Sequence, residues 1–136
     1  MTVIDSSAVV DFLVGEEAAD DTEALLARER VLVAPDLLVF EVLAVLRRHA
    51  LRGLITAERA TAAVDDLGDL AIDLYPTLPL RERAWELREN LTAADALFVA
   101  LAERLGEPLA TKDRGLAAAA RTHAGIETIE LASRPA

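Results

Sequence analysis

The chain has no cysteine. That excludes disulfides and thiolate metal sites, and makes a reducing cytoplasm the natural compartment. Histidine is scarce: His49 and His123 are the only two, they form no metal-ligand spacing and they read as surface residues, so any metal must be held by oxygen. Positive charge is in deficit as well, with 14 Lys and Arg against 24 Asp and Glu and a net charge of −10. This excludes a protein that coats nucleic acid through a basic face; nucleic acid bound at a metal-loaded pocket is still allowed. No apolar run approaches the roughly 18 to 20 residues of a membrane span, and "MTVIDSS" places no basic segment before its apolar stretch, so the reading is a soluble, unsecreted protein.

What is present fits one compact domain. The 136 residues are 53% hydrophobic and 28% charged, enough to bury a core. "TVID" reads as a strand, and "SSAVVDFLVG" as a serine cap, a helix and a glycine stop. A polar helix over 17–29 and a strand in "RVLVAP" follow. Asp36 then caps the helix of "PDLLVFEVLAVLRRH", which ends near Gly53. Thr56 opens another helix to about Gly68, "LAIDLYP" alternates as a strand, and "LPLRERAWELREN" reads as a helix. "LTAADALFVALAERLGEP" starts at a capping box, Thr92 with Asp95, and stops at Gly106 and Pro108. The strand "PLAT", a helix from about Asp113 to Thr122 and the strand "IETIEL" complete an α/β chain over residues 1–132, with a frayed tail at 133–136. Alternation of this kind implies a mostly parallel sheet covered by helices on both faces.

In such sheets ligands bind beyond the carboxyl ends of the strands, where strand order reverses. Four acids fall at suitable places. Asp5 closes the first strand, Asp113 lies just beyond "PLAT", Asp95 is in the first turn of its helix, and Glu41 sits inside a helix so apolar that it should be buried all round. Each has a plain structural reading: Asp95 and Asp113 as caps, Asp5 as a strand end, Glu41 paired with an arginine. Together those readings are less economical than one shared pocket. Asp11, Asp65, Asp66 and Asp69 read instead as members of solvated faces, and Trp85 as core or interface.

Carboxylates gathered within a few ångströms repel one another until a cation neutralises them. Mg²⁺, or Mn²⁺ in its place, takes oxygen ligands and keeps several waters, leaving positions open for phosphate oxygens. Such a site suits phosphodiester hydrolysis by metal-activated water. Ser6 and Thr111 are placed to hydrogen-bond a carboxylate, a water or a phosphate, or simply to cap a helix and end a strand.

"VIDSSAVVDFL", the lone Glu41, "LTAADALFVALAERLG" and "PLATKDRGLAAAA", in that order over nearly the whole chain, resemble the PIN-domain ribonucleases, and most closely the VapC toxins of bacterial toxin–antitoxin pairs. The resemblance implies a three-layer PIN-like fold with about five strands. It implies an Mg²⁺- or Mn²⁺-dependent site that cleaves RNA, with Asp5 and Asp95 as direct ligands and Glu41 and Asp113 as ligands directly or through water. A further acid near the fourth strand occurs in some members; Arg114 and Gly115 stand there here. A VapB-type antitoxin and a homodimer are the implied partners.

Leaving out the four acids, the charge is still −6, so RNA must be met locally. Arg47, Arg48, Arg52, Arg81, Arg83, Lys112 and Arg114 are the candidates, with Ser6, Thr111, Lys112 and Arg114 nearest the acids. Two other functions share the composition: a phosphoacceptor regulator, which needs an acceptor aspartate ending a middle strand, and a catalytically silent module that uses the acids for docking.

Overall fold

A computed structural model describes residues 1–16, 18–28 and 31–131. Five short strands, β1 (Thr2–Ile4), β2 (Leu32–Pro35), β3 (Ile72–Tyr75), β4 (Leu109–Thr111) and β5 (Thr128–Glu130), form one sheet in the order β3-β2-β1-β4-β5. Every pairing is parallel. The inner strands are buried throughout, as Val3, Ile4, Leu32, Val33, Leu109 and Ala110 require of a sheet covered on both sides.

Right-handed crossovers fix which helix covers which face. Helices α1 (Ser6–Val14), α2 (Ala19–Arg28), α3 (Leu37–Leu51) and α4 (Ala57–Asp69) pack together on one face; α5 (Arg81–Glu86), α6 (Ala93–Leu105) and α7 (Arg114–Ala124) cover the other. The chain runs outward from β1 to β3, then crosses back to place β4 on the other side of β1. The reversal of strand order therefore lies between β1 and β4, and Asp5 and Asp113 both follow those strands.

Several local expectations change. The cap of α1 is Asp5, not a serine: its carboxylate accepts the Ala8 N–H, and Ser6 and Ser7 are the first helical residues. Asp36 does not cap α3 through its side chain; it takes a helical conformation and donates its backbone N–H to the Tyr75 carbonyl at 2.8 Å. Helix α3 is not buried all round. Leu38, Val42 and Leu46 face the core, while Phe40 (68% exposed) and Leu51 (70%) lie in the open, because a helix lying over one side of a sheet buries only one stripe. The helix expected from "LPLRERAWELREN" shrinks to a 3-10 turn, Leu78–Leu80, and α5. Trp85 is not core: it stands 69% exposed, with the Arg88 guanidinium 4.8 Å from its ring centre. His49 is half-buried, whereas His123 is exposed as expected.

Thr56 caps α4 and Thr92 caps α6 as the sequence indicates. Glu17 and Glu29, inside the expected second helix, and the tail at 133–136 lie outside the described residues. No helix among the described residues is long and apolar enough to cross a membrane.

Candidate active site

Asp5 is the centre of the site and is 6% exposed. Its backbone N–H donates to the Ala110 carbonyl, which ties it to β4. Its side chain is held by three donors: Ser7 Oγ at 2.6 Å and the Ala8 N–H at 3.1 Å on Oδ1, and Thr111 Oγ1 at 2.5 Å on Oδ2. Thr111 is itself fully buried and also accepts the Asp113 N–H at 3.0 Å. One threonine thus couples the acid of β1 to the acid after β4. Asp113 caps α7, its Oδ1 accepting the Leu116 N–H at 3.0 Å.

The other two acids arrive on helices. Glu41 lies beside the buried stripe of α3 and is half-buried; Ser6, in the first turn of α1, donates to its Oε1 at 3.0 Å. Asp95, also half-buried, is set in the first turn of α6 by the Thr92 cap. Three of the acids are shifted, in part by the charges of their neighbours. Asp5 has its pKa raised, first by burial and additionally by the Asp113 charge, against the opposing pull of its three hydrogen bonds. Burial also raises the pKa of Glu41, with Asp95 and Asp5 adding to it and Ser6 opposing. For Asp95, burial comes first and the charges of Asp5 and Asp113 follow, opposed by the Thr92 hydroxyl.

This is a strained electrostatic arrangement of the kind a hard cation relieves. Among the described residues, however, no three acidic or imidazole side chains already stand close enough to encircle one ion. The donor set fits an ion that takes few protein oxygens and reaches the remainder through water, as Mg²⁺ does.

The remaining residues divide. Ser6 and Thr111 are in the site, holding carboxylates. Lys112 is turned away into an ion pair with Asp11, 2.8 Å from Nζ to Oδ2. Arg83 is clasped by Glu103 and Glu86. Arg114 is exposed, its side chain without a hydrogen bond or ion pair to other described residues. Arg47, Arg48 and Arg52 border an open groove of about 640 Å³ with Phe40, Leu43 and Leu51.

Two placements were missed by sequence reasoning. Ser7 donates to Asp5 at 2.6 Å, yet its neighbour Ser6 drew the attention. Asp11 was assigned to a solvated face but is buried; the signal was there, since it is a lone acid in an apolar helix just as Glu41 is. Asp65, Asp66 and Asp69 are exposed as expected.

A central parallel sheet with acids beyond the ends of β1 and β4, where strand order reverses, defines an α/β domain whose ligand crevice is acidic. The chain belongs to the PIN-domain family: the profile described as "PIN domain" matches residues 2–122. Its relatives include VapC-type ribonucleases. It is 47% identical over 118 residues to "Ribonuclease VapC1" of Mycobacterium tuberculosis, covering 86% of this chain and 89% of the relative. It is 35% identical over 129 residues to "Ribonuclease VapC12" of the same species, covering 95% and 99%. Its fold is similar to the crystal structure of Mycobacterium tuberculosis VapC20, described as a sarcin-ricin loop cleaving toxin, with a TM-score of 0.70 at 19% identity over 88% of this chain and 95% of that one.

Proposed function

We propose that the protein is a metal-dependent endoribonuclease, the toxin of a VapBC toxin–antitoxin pair, acting in the cytoplasm. The observation that carries this reading is the meeting of Asp5, Glu41, Asp95 and Asp113 at the strand-order reversal, with burial and mutual repulsion raising the proton affinity of the first three. Membership of the PIN family and the ribonuclease names of the relatives support it.

Asp5 and Asp95 would hold Mg²⁺ or Mn²⁺ directly, with Glu41 and Asp113 acting directly or through water. The bound ion supplies Lewis acidity toward a phosphoryl oxygen and lowers the pKa of a water. The chain does the remainder. Ser7, Thr111 and the α1 amide fix the direction of the Asp5 oxygens. Ser6 fixes Glu41 by donating its hydroxyl to Oε1. Arg114 is available to meet phosphate. An antitoxin would bind as a partner protein, and the exposed apolar face of α3 bordered by Arg47, Arg48 and Arg52 supports such an interaction. The homodimer is proposed on the family resemblance. A phosphoacceptor role is disfavoured by membership of the PIN family.

The test is cleavage of a mixed transfer and ribosomal RNA pool by the purified protein with Mg²⁺ or Mn²⁺, with EDTA, and with Asp5→Asn. Discrete fragments that disappear with EDTA and in the variant are expected. Fragments that persist in EDTA would overturn metal dependence. If no RNA is cut and Mn²⁺ does not stabilise the fold, the acids serve as a docking pocket.

A further inference from the structure

We infer that the Asp11–Lys112 ion pair is a positioning device that fixes the distance between Asp5 and Asp113, a role that rests on the nuclease reading above. Lys112 sits between the two residues that matter most on the β4 side. Thr111 before it donates to Asp5, and Asp113 after it caps α7. Wherever the backbone of Lys112 goes, both of its neighbours go with it.

The anchor is unusually well buried. Asp11 lies on α1, the helix that Asp5 caps, and its side chain is 7% exposed against 28% for Lys112. The same oxygen, Oδ2, receives Lys112 Nζ at 2.8 Å and the Ala18 N–H at 3.1 Å. The Asp11 carbonyl meanwhile accepts the N–H of Gly15 and of Glu16. One residue thus joins α1, the junction leading to α2, and the turn between β4 and α7. Asp5 starts the helix and Asp11 sits in its second turn, so α1 is a rigid strut with the site acid at one end and the tether of the β4–α7 turn farther along. A lysine held this way is withdrawn from the phosphate-binding role that its position beside Asp113 suggests.

A pair that only stabilised the fold would leave the site indifferent to its loss once the protein is folded. The experiment compares the parent with Asp11→Asn, Lys112→Met and the double variant. Asn can still accept the Ala18 N–H, so Asp11→Asn removes the charge alone; Lys112→Met strands a buried carboxylate and is the more damaging single change. The double variant restores neutrality and keeps the test valid should Lys112→Met fold poorly.

Three readouts are taken. In the metal-free proteins, amide exchange at Asp113 and Leu116 is expected to be faster in every variant, with the Val3 amide, bonded to Pro108 in the core sheet, unchanged. Mn²⁺ affinity is expected to fall about tenfold, as for loss of other groups that orient ligands. With RNA, kcat is expected to fall while KM holds. Unaltered exchange and unaltered Mn²⁺ affinity in all variants would overturn the inference, as would a rise in KM confined to Lys112→Met with a shallower salt dependence, the signature of a phosphate contact. A parent that neither binds Mn²⁺ nor cuts RNA would sink the nuclease reading instead, and amide exchange would still decide whether the pair holds the turn.

Discussion

Thr111 shows how much one hydroxyl carries. It gives its proton to Asp5 and accepts the Asp113 N–H, all in a fully buried position. Replacing it with valine keeps the shape and leaves a buried acceptor and a donor short of partners. We expect Thr111→Val to lose about 1–3 kcal/mol in urea unfolding, and Thr111→Ser to lose less. The raised pKa values of Asp5, Glu41 and Asp95 have a definite sign. From their ordinary values of 3.8, 4.5 and 3.8 up to the raised ones, the native state holds protons that the unfolded chain has released. Their contribution to stability therefore falls as pH rises through that window, and the loss is complete above it. Asp95→Asn removes one such group, so the metal-free variant should melt higher than the parent at pH 7.5 and the gap should close on acidification. A variant melting lower at neutral pH would show that Asp95 is not under electrostatic strain. Asp5, Asp95 and Asp113 were legible in the sequence because they fall at strand ends and helix starts, and Glu41 because it is a lone acid in an apolar helix. Ser7 was not, because two adjacent serines at a helix start look alike until the helix direction is known.

Elements were read well where caps and stops are chemical, as with Thr56, Thr92 and Gly106, and poorly where packing decides. The composition of α3 suggests burial on all sides, yet only the stripe of Leu38, Val42 and Leu46 is fully buried, with Leu37 and Val45 packing partly against the core; a list of apolar residues does not say how many layers lie above a helix. The apolar surroundings of Asp11 hint at its burial, but not at its partner: Lys112 is 101 residues away in sequence, and no local period encodes such a pair. Helix α7 offers a test of how closely an element is tuned to the site. A Cβ added at Gly115 would lie 3.3 Å from Asp113 Oδ1, close enough that the carboxylate must shift by a few tenths of an ångström. Gly115→Ala should raise intrinsic helix propensity by about 1 kcal/mol while weakening Mn²⁺ binding. Titration and unfolding of the same variant would separate the two effects, and unchanged Mn²⁺ affinity would remove Asp113 from the site.

On the scale of the whole molecule, the order of strands and helices was legible because each apolar run is bounded by its own stop signal. The strand order β3-β2-β1-β4-β5 was not, since it depends on which strands pair. That order brings residues 5, 41, 95 and 113 to one end of the sheet. A chain of net charge −10 offers RNA few free cations. Arg47, Arg48, Arg52 and Arg114 are the exposed ones near α3 and the site, so the plot of log affinity against log salt should be no steeper than about −3 for single-stranded RNA, at roughly 0.7 per phosphate contact. The central claim is that the four acids hold one cation-binding site, and Mn²⁺ titration by calorimetry tests it most directly, using the parent, Asp5→Asn and Asp95→Asn. The account predicts saturable binding by the parent, a native-state stabilisation of about 2.7 kcal/mol at a hundredfold excess over Kd, and at least a tenfold loss of affinity in each variant. Absence of binding by the parent, or equal binding by all three, would contradict it.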